Sequence, residues 1–223
     1  MTRRLAVFDC DGTLVDSQAN ILRAMELCFA DHRLDPPCRH ATRRIVGLSL
    51  REAMATLLPE GDDELHLSLT ESFKGAFQGL RGQGMIDEPL YPGIAEALLE
   101  LTGRGWLLGV ATGKSDRGLA LCLAHHGIAA QFVTLQTADR HPSKPHPAML
   151  LAACAEAGVA PAHTAMIGDT GFDMAMAVAA DTDAIGVDWG YHDAHELMAS
   201  GARVVTFDTA ELIDRLEDQW TTT

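Results

Sequence analysis

Six short apolar runs, each followed by a longer stretch of helical apolar spacing, constrain the fold of this chain more than any other feature. The runs fall at 5–9, 107–112, 132–135, 165–169, 184–187 and 204–207. The stretches 94–104, 117–126, 147–157, 172–180, 194–199 and 210–219 carry apolar residues at helical spacing. Strands that are apolar along their whole length are buried on both faces, and alternation with helices builds βα units. The pattern predicts an α/β fold with a Rossmann-like parallel sheet core flanked by helices. Gly127 and Gly158 stand where glycine would cap two of these helices.

The segment 16–88 breaks the alternation, because it has helical spacing at 17–31, 49–58 and 63–80 and no convincing strand. Pro36-Pro37 separates the first two stretches and Pro59 closes the second. This predicts a small helical insert at 16–90 in a core made of 1–15 and 91–223, with Asp16-Ser17 and Glu88-Pro89 as linkers. The alternative places these helices on one face of the sheet. The run from Gly79 to Gly84 resembles a phosphate-binding loop but follows a helix instead of a strand, so it is expected to be a flexible return to the core.

A net charge of −14 argues against a nucleic-acid partner, which needs a basic stripe, and against an anionic membrane surface. Hydrophobic content of 47% and charged content of 22% suit a soluble globular enzyme. Cys10, Cys28, Cys38, Cys122 and Cys154 form no paired spacing and point to reduced thiols in the cytoplasm. No apolar run reaches the roughly 18 residues that span a bilayer, and the run after Met1-Thr2-Arg3-Arg4 is too short for a signal peptide. The Thr221-Thr222-Thr223 tail is expected to fray.

Chemistry concentrates where strands end. The first run ends in Asp9-Cys10-Asp11-Gly12, two carboxylates at i, i+2 whose shared burial is costly without a cation. An Asp-rich turn would use the same residues. Cys10 sits between them, where strand alternation turns it away toward packing. Three more elements follow: Thr112-Gly113-Lys114 after a strand, Lys144 between Ser143 and Pro145-His146-Pro147, and Gly168-Asp169 with Asp173 four residues on. Asp169 alone would also suit a helix N-cap. Only Lys74, Lys114 and Lys144 occur as lysines, and two of them lie in or beside these elements. The histidines show no metal spacing and read as structural or surface groups, although His146 lies in the lysine turn.

These four elements, in this order, resemble the haloacid dehalogenase-type phosphohydrolases, and most closely the phosphoglycolate phosphatase-like branch, whose helical cap matches the 16–90 insert. The resemblance covers nearly the whole chain. It implies Asp9 as nucleophile forming an aspartyl-phosphate, and Asp11 as the acid that protonates the leaving group and then activates water. It implies Thr112, Gly113 and Lys144 as phosphate-binding groups. It also implies Mg²⁺ on Asp9, the Asp11 carbonyl and Asp169, with Asp173 a ligand or a neighbour of one. On a helix, positions 169 and 173 would share a face. Lys114 is left without an essential role. Relatives commonly carry Ala-Gly where this chain has Ala180-Asp181, a change that removes no catalytic group.

The implied substrate is a small phosphorylated metabolite, phosphoglycolate foremost, and the implied enzyme is a cytoplasmic monomer or homodimer. Arg43, Arg44 and Arg51 near Ser49 are candidates for a substrate carboxylate or for solvent. The rivals are a β-phosphoglucomutase-type transferase, a pyrophosphatase or other small-phosphate phosphatase, and a non-catalytic ligand-binding relative. A dehalogenase is disfavoured by Asp11, and a phosphonate hydrolase would have only Lys74 as its cap lysine.

Overall fold

The structure, a computed structural model, describes residues 3–220; the 221–223 tail lies outside the described residues. Six parallel strands form one sheet: β1 (Arg4–Phe8), β2 (Trp106–Thr112), β3 (Phe132–Thr137), β4 (Thr164–Gly168), β5 (Asp183–Val187) and β6 (Val204–Thr206). Their order is β3-β2-β1-β4-β5-β6, so the chain crosses from one half of the sheet to the other between β3 and β4. In open α/β sheets ligands collect outside the carboxyl ends of strands at that reversal. Asp9 and Asp169 follow the neighbouring strands β1 and β4, where Phe8 is in register with Ile167.

The continuous apolar runs are explained by burial on both faces. Ala6 and Phe8 of β1 join a cluster with Leu98 and Leu101 of α5 (Ile94–Gly103). Leu119 of α6 (Asp116–His125) and Leu212 of α10 (Thr209–Trp220) complete that layer. Leu5 and Val7 point the other way, into a cluster with Met149 of α7 (Ala148–Ala157), Met174 of α8 (Gly171–Ala179) and Leu197 of α9 (Ala194–Ala199). Alternation along one strand therefore feeds two cores.

A third apolar cluster lies outside the sheet. It joins Met25 and Phe29 of α1 (Gln18–Asp31), Met54 of α3 (Leu50–Leu57), and Leu69 and Phe73 of α4 (Asp63–Gly82). A short helix, α2 (Arg39–Arg44), precedes α3 and lacks any sequence signature, because Thr42 is its one buried residue. Chain departure and return run side by side: the Asp16 amide donates to the Pro89 carbonyl at 2.9 Å, and Val15 bridges Leu90.

One sequence expectation is corrected here. Gly79 and Gly82 are helical residues of α4, and only Gly84, with φ 68°, belongs to the return. Burial of Phe73 and Leu80 outweighs the roughly 1 kcal/mol that each interior glycine costs a helix. Asp181 takes a φ of 54° after α8, a conformation that aspartate tolerates better than most residues. No helix among the described residues is long and apolar enough to cross a membrane.

Candidate active site

Four loops at the carboxyl edge of the sheet converge on a buried charged cluster. Asp9, Asp169 and Asp173 are fully buried, and one carboxylate oxygen from each lies within 4.8 Å of the others. The Lys144 ammonium stands 2.6 Å from Asp173 Oδ1 and 2.9 Å from Asp9 Oδ2. The second contact is off the hydrogen-bonding direction, so Asp9 Oδ2 has charge compensation but no directional donor. Its partner oxygen Oδ1 accepts from the Cys10 amide at 2.6 Å. Lys144 is carried by the loop between β3 and α7, several residues beyond the strand end.

Asp169 is fixed by donors from far along the chain. The Thr13 hydroxyl donates to its Oδ1 at 2.8 Å and the Tyr191 amide to its Oδ2 at 2.9 Å. The N-cap of α8 is Thr170, not Asp169, and Thr170 forms a reciprocal capping box with Asp173. The two aspartates are therefore brought together by a strand end meeting a cap, and not by a shared helical face. Gly12 has φ 87°, and a Cβ there would sit 2.1 Å from Asp169 Oδ2, so only glycine lets the Asp9–Asp11 turn approach.

The electrostatics follow from this crowding. Burial raises Asp9 from 3.8 to about 7; Lys144 opposes the rise, and Asp173 adds to it. Burial, then Asp173 and Asp9, lift Asp169 well above the ordinary carboxylate range. Burial pulls Lys144 toward neutrality, but Asp173 and Asp9 overcome it and hold its pKa above the usual lysine value.

Asp11 looks elsewhere. Its Oδ1 accepts from the Ser17 hydroxyl and lies 2.8 Å from Lys114 Nζ, which is also 2.8 Å from Glu88 Oε1. Arg81 of α4 meets the other oxygen of Glu88 at 3.0 Å. Lys114, to which sequence reasoning assigns no role, thus connects Asp11 to the returning chain. The one sequence signal for it is the scarcity of lysine. Sequence reasoning also misses Tyr191, whose hydroxyl lies 3.1 Å from Ser17 Oγ and which belongs to no local pattern. It gives no role to Thr13, which follows Gly12 in the first charged element but meets its partner Asp169 only in the fold.

Thr112 is buried at the end of β2, and its hydroxyl accepts from the Lys114 amide at 3.3 Å. Gly113 touches the helical layer so closely that a Cβ would stand 2.4 Å from the Leu48 carbonyl oxygen. The Ser49 amide donates to Ser143 Oγ at 2.8 Å across the same seam. Arg44 pairs with Glu196 and Arg51 with Asp63. Arg43 donates to the Gly190 carbonyl at 3.4 Å, while its buried Nε has no partner. His146 is exposed and its Nδ1 accepts from the Ala148 amide. Cys10 is buried in the first cluster, its sulfur 3.9 Å from that of Cys122.

Residues 6–187 match the model of the haloacid dehalogenase-like hydrolases, and the chain belongs to that family. It is a phosphatase of the phosphoglycolate phosphatase-like branch. The chain is 35% identical over 214 residues to the "Probable phosphatase IndB" of Dickeya dadantii, covering 94% of this chain and 91% of that protein. It is 28% identical to the phosphoglycolate phosphatase of Vibrio vulnificus strain CMCP6, covering 95% of each. A "predicted phosphatase" from Clostridium acetobutylicum has the same fold, with a TM-score of 0.88 at 23% identity over 98% of this chain and all of that one.

Proposed function

We propose that this chain is a Mg²⁺-dependent phosphomonoester hydrolase that works through an aspartyl-phosphate on Asp9. Its substrate would be a small phosphorylated metabolite, phosphoglycolate being the first to test because relatives carry that name. The observation that supports the reading best is the meeting of Asp9, Asp169, Asp173 and Lys144 in one buried cluster. Its donor set is all oxygen, which suits a hard divalent cation. The carboxylates of Asp9, Asp169 and Asp173 would hold Mg²⁺, together with the Asp11 backbone carbonyl. Bound there, Mg²⁺ would offset the charge of phosphate and carboxylates at the reacting centre.

The protein groups carry the steps. An Asp9 oxygen attacks phosphorus, the bond to the ester oxygen breaks, and Asp11 gives its proton to the departing alkoxide. Water then attacks the phosphorus of the aspartyl-phosphate while Asp11 takes its proton, and inorganic phosphate leaves. Thr112, Gly113 and Lys144 would bind the transferring oxygens, where fixed donors stabilise developing charge. Residues 16–90 would act as a cap, excluding bulk water from the intermediate. The acidic balance speaks against a nucleic-acid or anionic-membrane partner, and the free cysteines support a cytoplasmic location, where the chain would act as a monomer or homodimer.

The test is phosphate release from 2-phosphoglycolate, sugar phosphates, phosphoserine, nucleotides and pyrophosphate. Mg²⁺-dependent release that a chelator abolishes is expected. Phosphoryl transfer between sugar hydroxyls with no net release would instead point to the mutase chemistry.

Metal binding should also appear in stability. Between about pH 4 and 7 the folded form keeps a proton on Asp9 that the unfolded chain has lost, so stability falls as pH rises through that window. A cation competes with that proton. Mg²⁺ is therefore expected to raise Tm more at pH 8 than at pH 5, and equal shifts in thermal melts would count against this site.

A further inference from the structure

A cavity of about 400 Å³ opens beside the charged cluster, between the helical layer and the sheet edge. Asp11, Gly113 and Lys114 line its core side. Its opposite wall is apolar: Ile21, Met25, Ile45, Leu50, Phe73 and Phe77. These residues belong to or pack against the apolar cluster of the helical layer, so the cavity penetrates that cluster. Phe73 and Phe77 stand 6.0 Å apart at a 31° tilt. Gln78 and Arg81 add polar groups at one side, Arg81 lying 5.8 Å from the Phe77 ring centre.

On the phosphatase reading, on which this inference rests, the ester oxygen departs beside Asp11. Whatever is attached to that oxygen must extend into this cavity. A cavity of roughly 150 Å³ accepts a benzene ring, so the space exceeds what a two-carbon acid fills. Apolar walls also penalise an unpaired carboxylate. Ligand sites of this volume and lining hold largely apolar bodies oriented by a few polar groups. Of the cations that line the cavity, Lys74 pairs with Glu71, Arg81 with Glu88 and Lys114 with Asp11 and Glu88, while Arg117 is exposed, which reduces their availability for an acid group. We propose that the preferred substrate is a phosphate monoester whose alcohol carries a ring with an apolar face, seated against Phe73 and Phe77, with polar edges toward Gln78 and Arg81.

The test compares 2-phenylethyl phosphate with ethyl phosphate, both esters of primary alcohols, and with 2-phosphoglycolate. At least a tenfold higher kcat/KM for the phenylethyl ester than for either of the others is expected. Phe77→Ala should lower the phenylethyl-to-ethyl ratio about tenfold, and circular dichroism would show that the variant is folded. If Phe77→Ala misfolds, Phe77→Leu should lower the same ratio by a smaller factor. Hydrolysis that favours ethyl phosphate or 2-phosphoglycolate, or a ratio unmoved in the folded variant, overturns the ring site alone. Failure to release phosphate from any ester, including activated 4-nitrophenyl phosphate, overturns the phosphatase reading and this inference with it.

Discussion

Asp9→Asn is expected to abolish phosphate release, by at least about a thousandfold in kcat, while leaving the protein folded. The amide keeps the shape of the carboxylate, and its carbonyl oxygen can still accept from the Cys10 amide. What it loses is the anionic oxygen that bonds to phosphorus. Lys144 retains Asp173 at 2.6 Å, so the substitution does not strand a buried cation. One crowded charge is removed from a cluster in which burial already opposes ionisation of Asp9. Circular dichroism and Tm should therefore stay close to the parent protein. Undiminished turnover in this variant would sink the mechanism.

Lys144→Met is expected to be damaging in two ways. Its ammonium is fully buried between Asp9 and Asp173, and removing one partner of a buried charged group costs about 3–5 kcal/mol. Activity should fall at least about a hundredfold, the usual cost of losing one fixed donor at a reacting group. The stability loss carries a sign that a packing defect would lack. Asp9 and Asp169 both have raised pKa values, so at pH 5 protons replace part of the missing positive charge. Urea unfolding of the metal-free variant should show a larger loss at pH 8 than at pH 5. Equal losses at the two values would assign the effect to side-chain volume.

Lys114 sets a limit on what motif reading yields. It directly follows Thr112-Gly113, and nothing local gives it a task. Its partners Asp11 and Glu88 are far away in sequence: Asp11 meets it because β1 lies beside β2, and Glu88 because the chain returns to the sheet there after α4. The same holds for Tyr191 and Thr13, which fix Asp169 through an amide and a hydroxyl. Helix α2 escapes notice for another reason: six residues with one buried side chain leave no periodicity to read. Gly79 and Gly82 mislead in the opposite direction, because local propensity disfavours a helix that tertiary packing extends to Gly82.

The sequence by itself determined the six strands, the class of the fold and the order of the four charged elements. A strand buried on both faces must be apolar along its length, and a helix resting on it must repeat near 3.6 residues. Those are properties of single segments, so they are written locally. The tertiary structure alone decided that β4 lies beside β1, which sets Asp169 next to Asp9, and that Thr170 caps α8 and turns Asp173 toward Lys144. It alone placed an apolar cavity against Asp11. Strand order and cavity shape depend on which distant faces pack together, and no local pattern encodes that choice.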